Sequence, residues 1–250
     1  MQDNTSISTD KVALVTGAAK RVGAVIVRKL HSEGMNIILH YRSSRNDAQA
    51  LQAELNEVRE NSVVLIQAEL LNTDKIAGMI REAVNIWGRL DVVINNASSF
   101  YPTPMGTVDE DQWEDIVGSN LKAPFFICQS AAEHLKKTNG CIINIVDIHA
   151  ERPLKTYPIY SIAKAGITML TRSMARELGP EIRVNGVAPG AILWPENIDE
   201  VTKQRIVSRT ALKRRGDPQD VADTIAFLVN GAGYITGQII TVDGGRTLTN

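Results

Sequence analysis

The sequence contains few of the residues that disulfide scaffolds, metal sites or membrane spans require. Only two of its 250 residues are cysteines, Cys128 and Cys141, and we expect both to be reduced thiols in or near the core. The four histidines are scattered and no Cys or His cluster has metal-ligand spacing, so we assign no metal. No apolar run approaches the ~18 residues of a bilayer span, and the polar start lacks an apolar signal core. These absences favour a cytoplasmic protein with no membrane partner.

An excess of charge of either sign is also missing. The 27 basic residues balance 28 acidic ones, so the sequence gives no reason to expect binding to nucleic acid. Hydrophobic residues make up 44%, and a chain of this length can bury a substantial core. Predicted strands and helices alternate without a linker or repeat, which indicates a parallel sheet covered on both faces. We therefore predict one α/β domain over residues 11–250, after a disordered polar segment at residues 1–10.

Residues 141–177 combine a predicted strand with a predicted helix that carries two reactive side chains. The apolar run at 142–146 indicates a buried strand, and Asp147 follows its carboxyl end. Tyr160 and Lys164 are one helical turn apart and so project from the same face. Because a cation favours the phenolate, we expect Lys164 to lower the pKa of Tyr160 and make it a proton donor near neutrality. The alternative is an ordinary surface pair at this spacing.

The beginning of the chain places a strand, a Gly-rich turn and a helix in immediate succession. Residues 12–16 are apolar, and GAAKRVG and a helical pattern follow. Gly17 permits a tight turn against a pyrophosphate, Gly23 lets helix and strand pack closely, and the helix N-terminus attracts anions. Arg21 replaces the middle glycine of the common pattern and adds a cation. The residues that we assign to the cofactor here are Gly17, Lys20, Arg21 and Val22.

The second predicted strand, residues 36–40, ends in HYRSS. An NAD-binding unit has an Asp or Glu about ~20 residues beyond the Gly-rich turn for the ribose 2′-hydroxyl, whereas an Arg suits a 2′-phosphate. In this sequence the first carboxylate is Asp47, so the segment favours NADPH over NADH. Alternatively, Arg42 and the serines only open the next helix, with Ser44 or Asn46 as its N-cap. The cofactor residues that we assign here are His40, Tyr41, Arg42, Ser43 and Ser44.

Other polar residues follow the remaining strands, at the edge of a parallel sheet where ligands usually bind. Glu69 follows the third strand, where an acidic side chain can hold the adenine amino group. The further cofactor residues that we assign to this edge are Glu69, Leu70, Asn96, Ala97, Ser98, Pro189 and Gly190.

Aromatic residues are scarce, and three of them fall on loops near this edge. Phe100 and Tyr101 follow the fourth strand, where a flat ring can stack a planar heterocycle; the alternative is that they cap the core. Trp194 belongs to the substrate loop at residues 191–210. It is either part of a lid that closes over substrate or the anchor of a surface loop.

Together these motifs resemble the short-chain dehydrogenase/reductase family over residues 11–245. The resemblance rests on Thr16-Gly17 with Gly23, Asn95-Asn96-Ala97, Asn120, Tyr160-x-x-x-Lys164, Pro189-Gly190 and Asp243-Gly244. It implies a doubly wound Rossmann fold with seven strands in the order 3-2-1-4-5-6-7. It also implies a homo-tetramer with its main interface on helices of residues 110–137 and 158–178. The catalytic residues that the resemblance implies are Asn120, Asp147, Tyr160 and Lys164, with Lys164 also on the nicotinamide ribose and Asn120 steadying it through water.

One departure from the family pattern points to a particular substrate class. A serine normally stands 13 positions before the tyrosine, and here that residue is Asp147. An ionised Asp only accepts hydrogen bonds, so it cannot stabilise the negative charge that develops on a carbonyl oxygen. A carboxyl close to a phenol can instead supply a proton to a ring nitrogen, either itself or through Tyr160. With TGAAKRVG, HYRSS and NNASSFYPTP the chain is similar to the pteridine reductases, in which an Asp and a Tyr act together and a Phe stacks on the pterin. The substrate residues so implied are Arg21, Ser98, Phe100, Asp147 and Tyr160, and the lid interpretation of the loop at residues 191–210 adds Trp194.

The resemblance therefore implies NADPH-dependent reduction of a pterin or folate. Two alternatives remain open, a carbonyl or 3-oxoacyl-thioester reductase of the same fold and a non-catalytic NADPH-sensing regulator. Some pteridine reductases place a C-terminal Arg in a neighbouring subunit's site, whereas this chain ends in TLTN with Arg246 four residues earlier. The substrate loop at residues 191–210 does not indicate a particular substrate either, and for these two reasons the identity of the pterin stays open.

Overall fold

The structure is a computed structural model that describes residues 11–194 and 198–248. In this part of the chain seven strands form one parallel sheet in the order β3-β2-β1-β4-β5-β6-β7, which confirms the predicted doubly wound α/β fold. The strands are β1 (Val12–Val15), β2 (Asn36–Tyr41), β3 (Val63–Gln67), β4 (Val92–Asn95), β5 (Cys141–Ile145), β6 (Arg183–Pro189) and β7 (Ile239–Val242). The segment at residues 1–10 that we predict to be disordered lies outside the described residues.

Helices pack on both faces of the sheet. They are α1 (Arg21–Ser32), α2 (Arg45–Val58), α3 (Ile76–Trp87), α4 (Glu110–Val117), α5 (Ala123–Lys136), α6 (Pro158–Glu177), α7 (Glu200–Ser208) and α8 (Pro218–Asn230). A π-helical turn, Gly118–Lys122, joins α4 to α5. In the described residues no helix is both long enough and apolar enough to cross a bilayer.

Strand β1 shows why the strands are recognisable as apolar runs. Its four residues are completely buried, and alternate side chains face opposite sides of the sheet. Ala13 and Val15 belong to the core formed with α1 and α8, whereas Val12 and Leu14 belong to the core formed with α3 and α5. Since both faces are covered, polar groups gather at the ends of the strands, and the carboxyl ends form the site described below.

The two cysteines lie inside these cores, as expected. Cys128 and Cys141 are buried free thiols. Burial raises the pKa of Cys128 to about 12 and that of Cys141 to about 11, so both stay protonated and unreactive.

Two details of the helices differ from the sequence-based expectations. Pro124, a residue type that bends or breaks a helix when it lies in the interior, occupies the first turn of α5, where its missing N–H costs nothing, and the π-helical turn lies just before it. Residues 191–210, expected to be a loop, contain α7, whose N-cap Asp199 accepts a hydrogen bond from Thr202 N at 2.8 Å. Because α7 has no buried residue, it lacks the apolar periodicity that identifies a helix in a sequence.

Candidate active site

A cleft of about 870 Å³ follows the carboxyl ends of the strands. It crosses the point where β1 and β4 are neighbours and the chain order reverses, which is the usual ligand position in such sheets. All of the site residues assigned from the sequence line this cleft, except Asn120. In residues 11–194 and 198–248, no group of three His, Cys, Asp or Glu side chains is arranged to hold a metal ion.

The Gly-rich turn begins the cleft between β1 and α1. Gly17 has a φ of 59°, and a Cβ there would lie 2.9 Å from the Cα of Ala97. At Gly23 a Cβ would lie 2.7 Å from Asn96 Nδ2, which donates to the carbonyls of Thr16 and Gly17 at 2.8 and 3.0 Å. Both glycines are therefore required for the turn to pack against the loop after β4.

Arg21 stands where the common pattern has a glycine, and its backbone adopts a conformation that favours glycine. Its φ is 55°, in the left-handed region that costs a residue with a side chain about 1–2 kcal/mol. Its side chain is exposed and lines the cleft. A strained backbone that places a cation in a cleft is the kind of cost that is usually retained for binding.

His40 lines the cleft, but its ring serves the protein backbone. Gly17 N–H donates to its Nδ1 at 3.1 Å, so the proton is on Nε2, which donates to the carbonyl of Ala68 at 3.1 Å. Burial lowers the pKa of His40 to about 4, and the ring is neutral at physiological pH. Because both ring nitrogens are occupied, His40 holds the Gly-rich turn beside the β3 end and has no ring nitrogen left for a cofactor.

Cations surround the end of β2, and two carboxylates partly balance them. Lys20 Nζ lies 2.9 Å from Asp47 Oδ2, and Arg42 Nη1 lies 3.8 Å from Asp115 Oδ1. Both cations are more than half exposed, so these ion pairs contribute little to stability and are easily exchanged for another anion.

Asp147, Tyr160 and Lys164 meet at the deeper part of the cleft. Tyr160 donates its hydroxyl hydrogen to Asp147 Oδ2 at 2.8 Å, and Asp147 Oδ1 accepts from the backbone N–H of His149 at 2.9 Å. Lys164 Nζ donates to the carbonyl of Ile145 at 2.8 Å and lies 5.5 Å from the centre of the Tyr160 ring. The phenol and the ammonium are both almost completely buried.

The expected effect of Lys164 on Tyr160 is wrong for this arrangement. Burial, followed by the charge and hydrogen bond of Asp147, raises the pKa of Tyr160 well above its usual value. Burial also lowers the pKa of Lys164 to about 8, although the Asp147 charge opposes this shift. Tyr160 therefore holds its proton firmly, with the carboxylate as acceptor.

Asn120 lies behind the cleft, in the π-helical turn. Its Nδ2 donates to the carbonyls of Ser99 and Ile116 at 3.0 Å, and its Oδ1 accepts from Ser98 Oγ at 2.8 Å. These bonds fix the loop that follows β4. The water-mediated link from Asn120 to Lys164 that the family resemblance implies stays a prediction.

The two aromatic residues after β4 have different surroundings. Phe100 lines the cleft with 46% of its surface exposed, stacks on Tyr157 and meets the Tyr160 ring edge-on, each at 4.7 Å between centroids. Tyr101 packs in the apolar cluster of Ile116 and its neighbours, and burial followed by Asp115 raises its pKa to about 12. Tyr101 therefore caps the core, whereas Phe100 faces the cleft.

Some residues of the cleft are absent from the sequence-based assignment. Among them are Tyr157, His149 and Arg246. Trp194, which was assigned from the sequence, also lines the cleft. Tyr157 is the residue before α6 and lies three positions before Tyr160, close enough in the chain to be considered for the site, whereas nothing in the sequence indicates that Arg246 reaches this cleft of its own chain. Residues 195–197 are outside the described part, so both interpretations of the Trp194 loop stay predictions.

A Rossmann sheet, a Gly-rich turn and a Tyr–Lys pair in one cleft define the class of protein. Residues 17–247 match a family model described as Enoyl-(Acyl carrier protein) reductase. The chain belongs to the short-chain dehydrogenase/reductase family and is an oxidoreductase, and reductases of this family use NAD(P)H.

Several relatives are similar over almost the full chain. Pteridine reductase 1 of Leishmania tarentolae is 37% identical over 286 aligned residues, 98% of this chain and 99% of that protein. 3-oxoacyl-[acyl-carrier-protein] reductase FabG of Staphylococcus aureus is 36% identical, covering 94% and 97%. 3beta-hydroxysteroid dehydrogenase 1 of Eggerthella lenta is 32% identical, covering 95% and 94%. The identities of the first two are too similar to define the substrate.

Proposed function

We propose that this oxidoreductase reduces pterins or folates with NADPH by adding a hydride to a ring carbon and a proton to the adjacent nitrogen. The observation that carries the proposal is the 2.8 Å hydrogen bond from the Tyr160 hydroxyl to Asp147. The carboxylate stands where the carbonyl-reducing members of the family have a serine hydroxyl. The similarity of the chain to pteridine reductase 1 supports the same substrate class.

The polar groups of the cleft fit a dinucleotide that carries a 2′-phosphate, as NADPH does. The turn from Gly17 to Val22 lies at the N-terminus of α1, and Lys20 and Arg21 add cations beside it. Arg42, Ser43 and Ser44 supply a guanidinium and two hydroxyls at the end of β2. When bound, NADPH supplies the hydride of the reaction.

The rest of the cofactor would lie along the same cleft. Lys164 would hold the nicotinamide ribose, and Glu69 and Leu70 would border the adenine. The other residues that would line the cofactor site are Asn96, Ala97, Ser98, Pro189 and Gly190.

Tyr160 and Asp147 would move the proton as a pair. A phenolate 2.8 Å from a carboxylate would be strongly disfavoured, as the raised pKa of Tyr160 indicates. We therefore propose that Asp147 takes up a proton from solvent and passes it to Tyr160 as the hydroxyl protonates the substrate nitrogen. Asp147 is only partly buried, which allows this exchange with water. The Lys164 ammonium, 5.5 Å from the ring centre, would offset charge that develops on the phenol oxygen.

The substrate itself would occupy the cleft beside these groups. We propose that Phe100 stacks on the pterin and that Arg21, Ser98 and Trp194 complete its site. All four side chains line the same cleft as Asp147 and Tyr160.

A substrate panel with purified protein tests the proposal. We expect NADPH oxidation, followed by the nicotinamide absorbance, with dihydrobiopterin or dihydrofolate, and little with acetoacetyl thioesters. Turnover of the thioesters alone would support a 3-oxoacyl-thioester reductase, as the Staphylococcus aureus relative suggests. NADPH binding without turnover of any substrate would support a sensing regulator.

The cofactor preference is expected to depend on Arg42. Arg42→Ala should weaken NADPH binding about 10- to 100-fold, because a charge-assisted hydrogen bond contributes about 1.5–3 kcal/mol, and should leave NADH binding unchanged. Titration of each cofactor by the quenching of protein fluorescence measures both constants. Arg45→Ala, an exposed arginine outside the cleft lining, is the matched control. Equal losses for both cofactors would contradict the assignment of Arg42 to the 2′-phosphate.

We also propose that the protein is a homo-tetramer built on the helices around α4, α5 and α6. Large apolar side chains on these helices are exposed: Trp113 by 41%, Phe125 by 39%, Ile162 by 53% and Met169 by 61%. Exposed apolar side chains of this size are the kind that subunits cover. Light scattering during size exclusion should give the mass of four chains, and a monomer mass would contradict the proposal.

A further inference from the structure

Phe100, the ring that we propose for stacking the pterin, is itself supported by a second ring. The Phe100 and Tyr157 rings are stacked, with centroids 4.7 Å apart and an interplanar angle of 16°. Both residues line the cleft. We infer that Tyr157 is a specificity-determining residue that holds Phe100 as a flat plate for a planar heterocyclic substrate, an inference that rests on the proposed function.

Both the side chain and the backbone of Tyr157 are fixed. The ring is partly buried and packs against the apolar cluster of Ile116, Ile159 and Ala163. The backbone N–H donates to the carbonyl of Leu154 at 3.1 Å, and Pro158 opens α6 directly afterwards. Tyr157 is therefore attached to the helix that also carries Tyr160.

The loops that carry the two rings are also joined to each other. The backbone N–H of Thr103 donates to the carbonyl of Thr156 at 2.7 Å, next to the ring pair. Thr156 has a φ of 67°, so the chain turns sharply just before Tyr157. The position of Phe100 is thus set before any ligand arrives, which reduces the ordering cost of binding.

A different interpretation is that Tyr157 occupies the place of the substrate and blocks it. Two observations argue against this. The Tyr157 ring packs into the apolar cluster of the protein, as a support does, and 46% of the Phe100 surface remains exposed to accept a ligand. The support interpretation predicts weaker substrate binding when the ring is lost, and the blocking interpretation predicts tighter binding.

The effect should be confined to planar substrates and to their binding. An aromatic pair contributes to affinity beyond the area it buries, and its loss corresponds to about a two- to tenfold change in a dissociation constant. A flexible acyl chain does not need a flat plate. The proton-transfer pair and the cofactor groups are other residues, so the maximal rate and the cofactor affinity should stay close to those of the original protein.

Tyr157→Leu and Tyr157→Phe test the inference, with dihydrobiopterin titrated calorimetrically into protein saturated with NADP⁺. We expect the leucine variant to raise the dissociation constant and the KM about two- to tenfold with kcat retained. The phenylalanine variant keeps the ring and should behave like the original protein. If the leucine variant melts at a lower temperature, Tyr157→Met replaces it as the ring-free variant.

Unchanged or tighter binding by a folded variant without the ring would overturn the inference. These outcomes differ from failure of the proposed function. If the proposed function fails, neither the original protein nor any variant at position 157 will bind or reduce dihydropterins in the substrate panel. Equal losses of affinity for dihydrobiopterin and for NADPH would also overturn the inference, because they would indicate a general structural role.

Discussion

Tyr160→Phe is expected to abolish turnover while the protein still folds and binds NADPH. The substitution removes only the hydroxyl that donates to Asp147 at 2.8 Å, and the ring keeps its packing against Ile116, Ile159 and Ala163. General acid catalysis typically contributes about 10²- to 10⁴-fold to a rate, so kcat should fall by that factor or more. The measurement is kcat with dihydrobiopterin, together with the melting temperature and the dissociation constant of NADPH.

Tyr234→Phe is the matched control, because Tyr234 is fully exposed and lies between α8 and β7, outside the cleft lining. It should leave all three quantities unchanged. If Tyr160→Phe retained more than about a tenth of the turnover, the loss would be smaller than the smallest effect expected for a general acid. Another group would then have to supply the proton. His149 would be the first candidate, since it lines the cleft and lies two residues after Asp147 in the chain.

The fold was predictable because buried strands give a signal that survives in a single sequence. Strand β1 is apolar throughout since both of its faces are covered, and the other central strands follow the same rule. The turn after β1 was equally clear, because Gly17 and Gly23 pack too closely for a Cβ. The strand order depended on the family resemblance, since periodicity alone does not determine which strands pair.

The protonation chemistry was not predictable from spacing. The i, i+4 spacing correctly places Lys164 near the Tyr160 ring, but the amine is directed at the carbonyl of Ile145. The pKa of Tyr160 depends first on burial and then on Asp147, and a sequence contains neither the burial nor the distance. His40 is a similar case, because its ring nitrogens bind backbone groups that come from two other loops.

Asp147→Ser is expected to eliminate dihydropterin reduction and to leave NADPH binding intact. Serine restores the hydroxyl donor of the carbonyl-reducing members. It removes the carboxyl group that, in our proposal, gives a new proton to Tyr160 after Tyr160 has protonated the substrate. The loss in kcat should be about 10²- to 10⁴-fold, as for other proton-transfer groups. The pKa of Tyr160 should also fall toward its usual value, because the charge and the hydrogen bond of Asp147 both raise it.

The fold should tolerate this change, which makes the loss of activity interpretable. Asp147 is the N-cap of the short 3₁₀ turn Ile148–Ala150, accepting from His149 N, and serine is one of the best residues for that role. Asp109→Ser is the matched control, because Asp109 caps α4 in the same way but lies outside the cleft lining. Both variants should therefore have similar melting temperatures, and only the first should lose activity.

Asp147→Asn separates the proton from the shape of the side chain. The amide oxygen of asparagine can take over only one of the two hydrogen bonds that the carboxylate oxygens accept, from the Tyr160 hydroxyl or from the His149 N–H, and asparagine cannot carry a titrating proton. If the relay is correct, kcat for dihydropterin falls about as far as in Asp147→Ser, because both variants lack the transferable proton. Acyl-thioester turnover should rise only in the serine variant, because the serine hydroxyl stands where the carbonyl-reducing members have theirs. An asparagine variant with full dihydropterin turnover would show that Asp147 only positions Tyr160, and the proton would then have to reach the phenol from another side of the cleft.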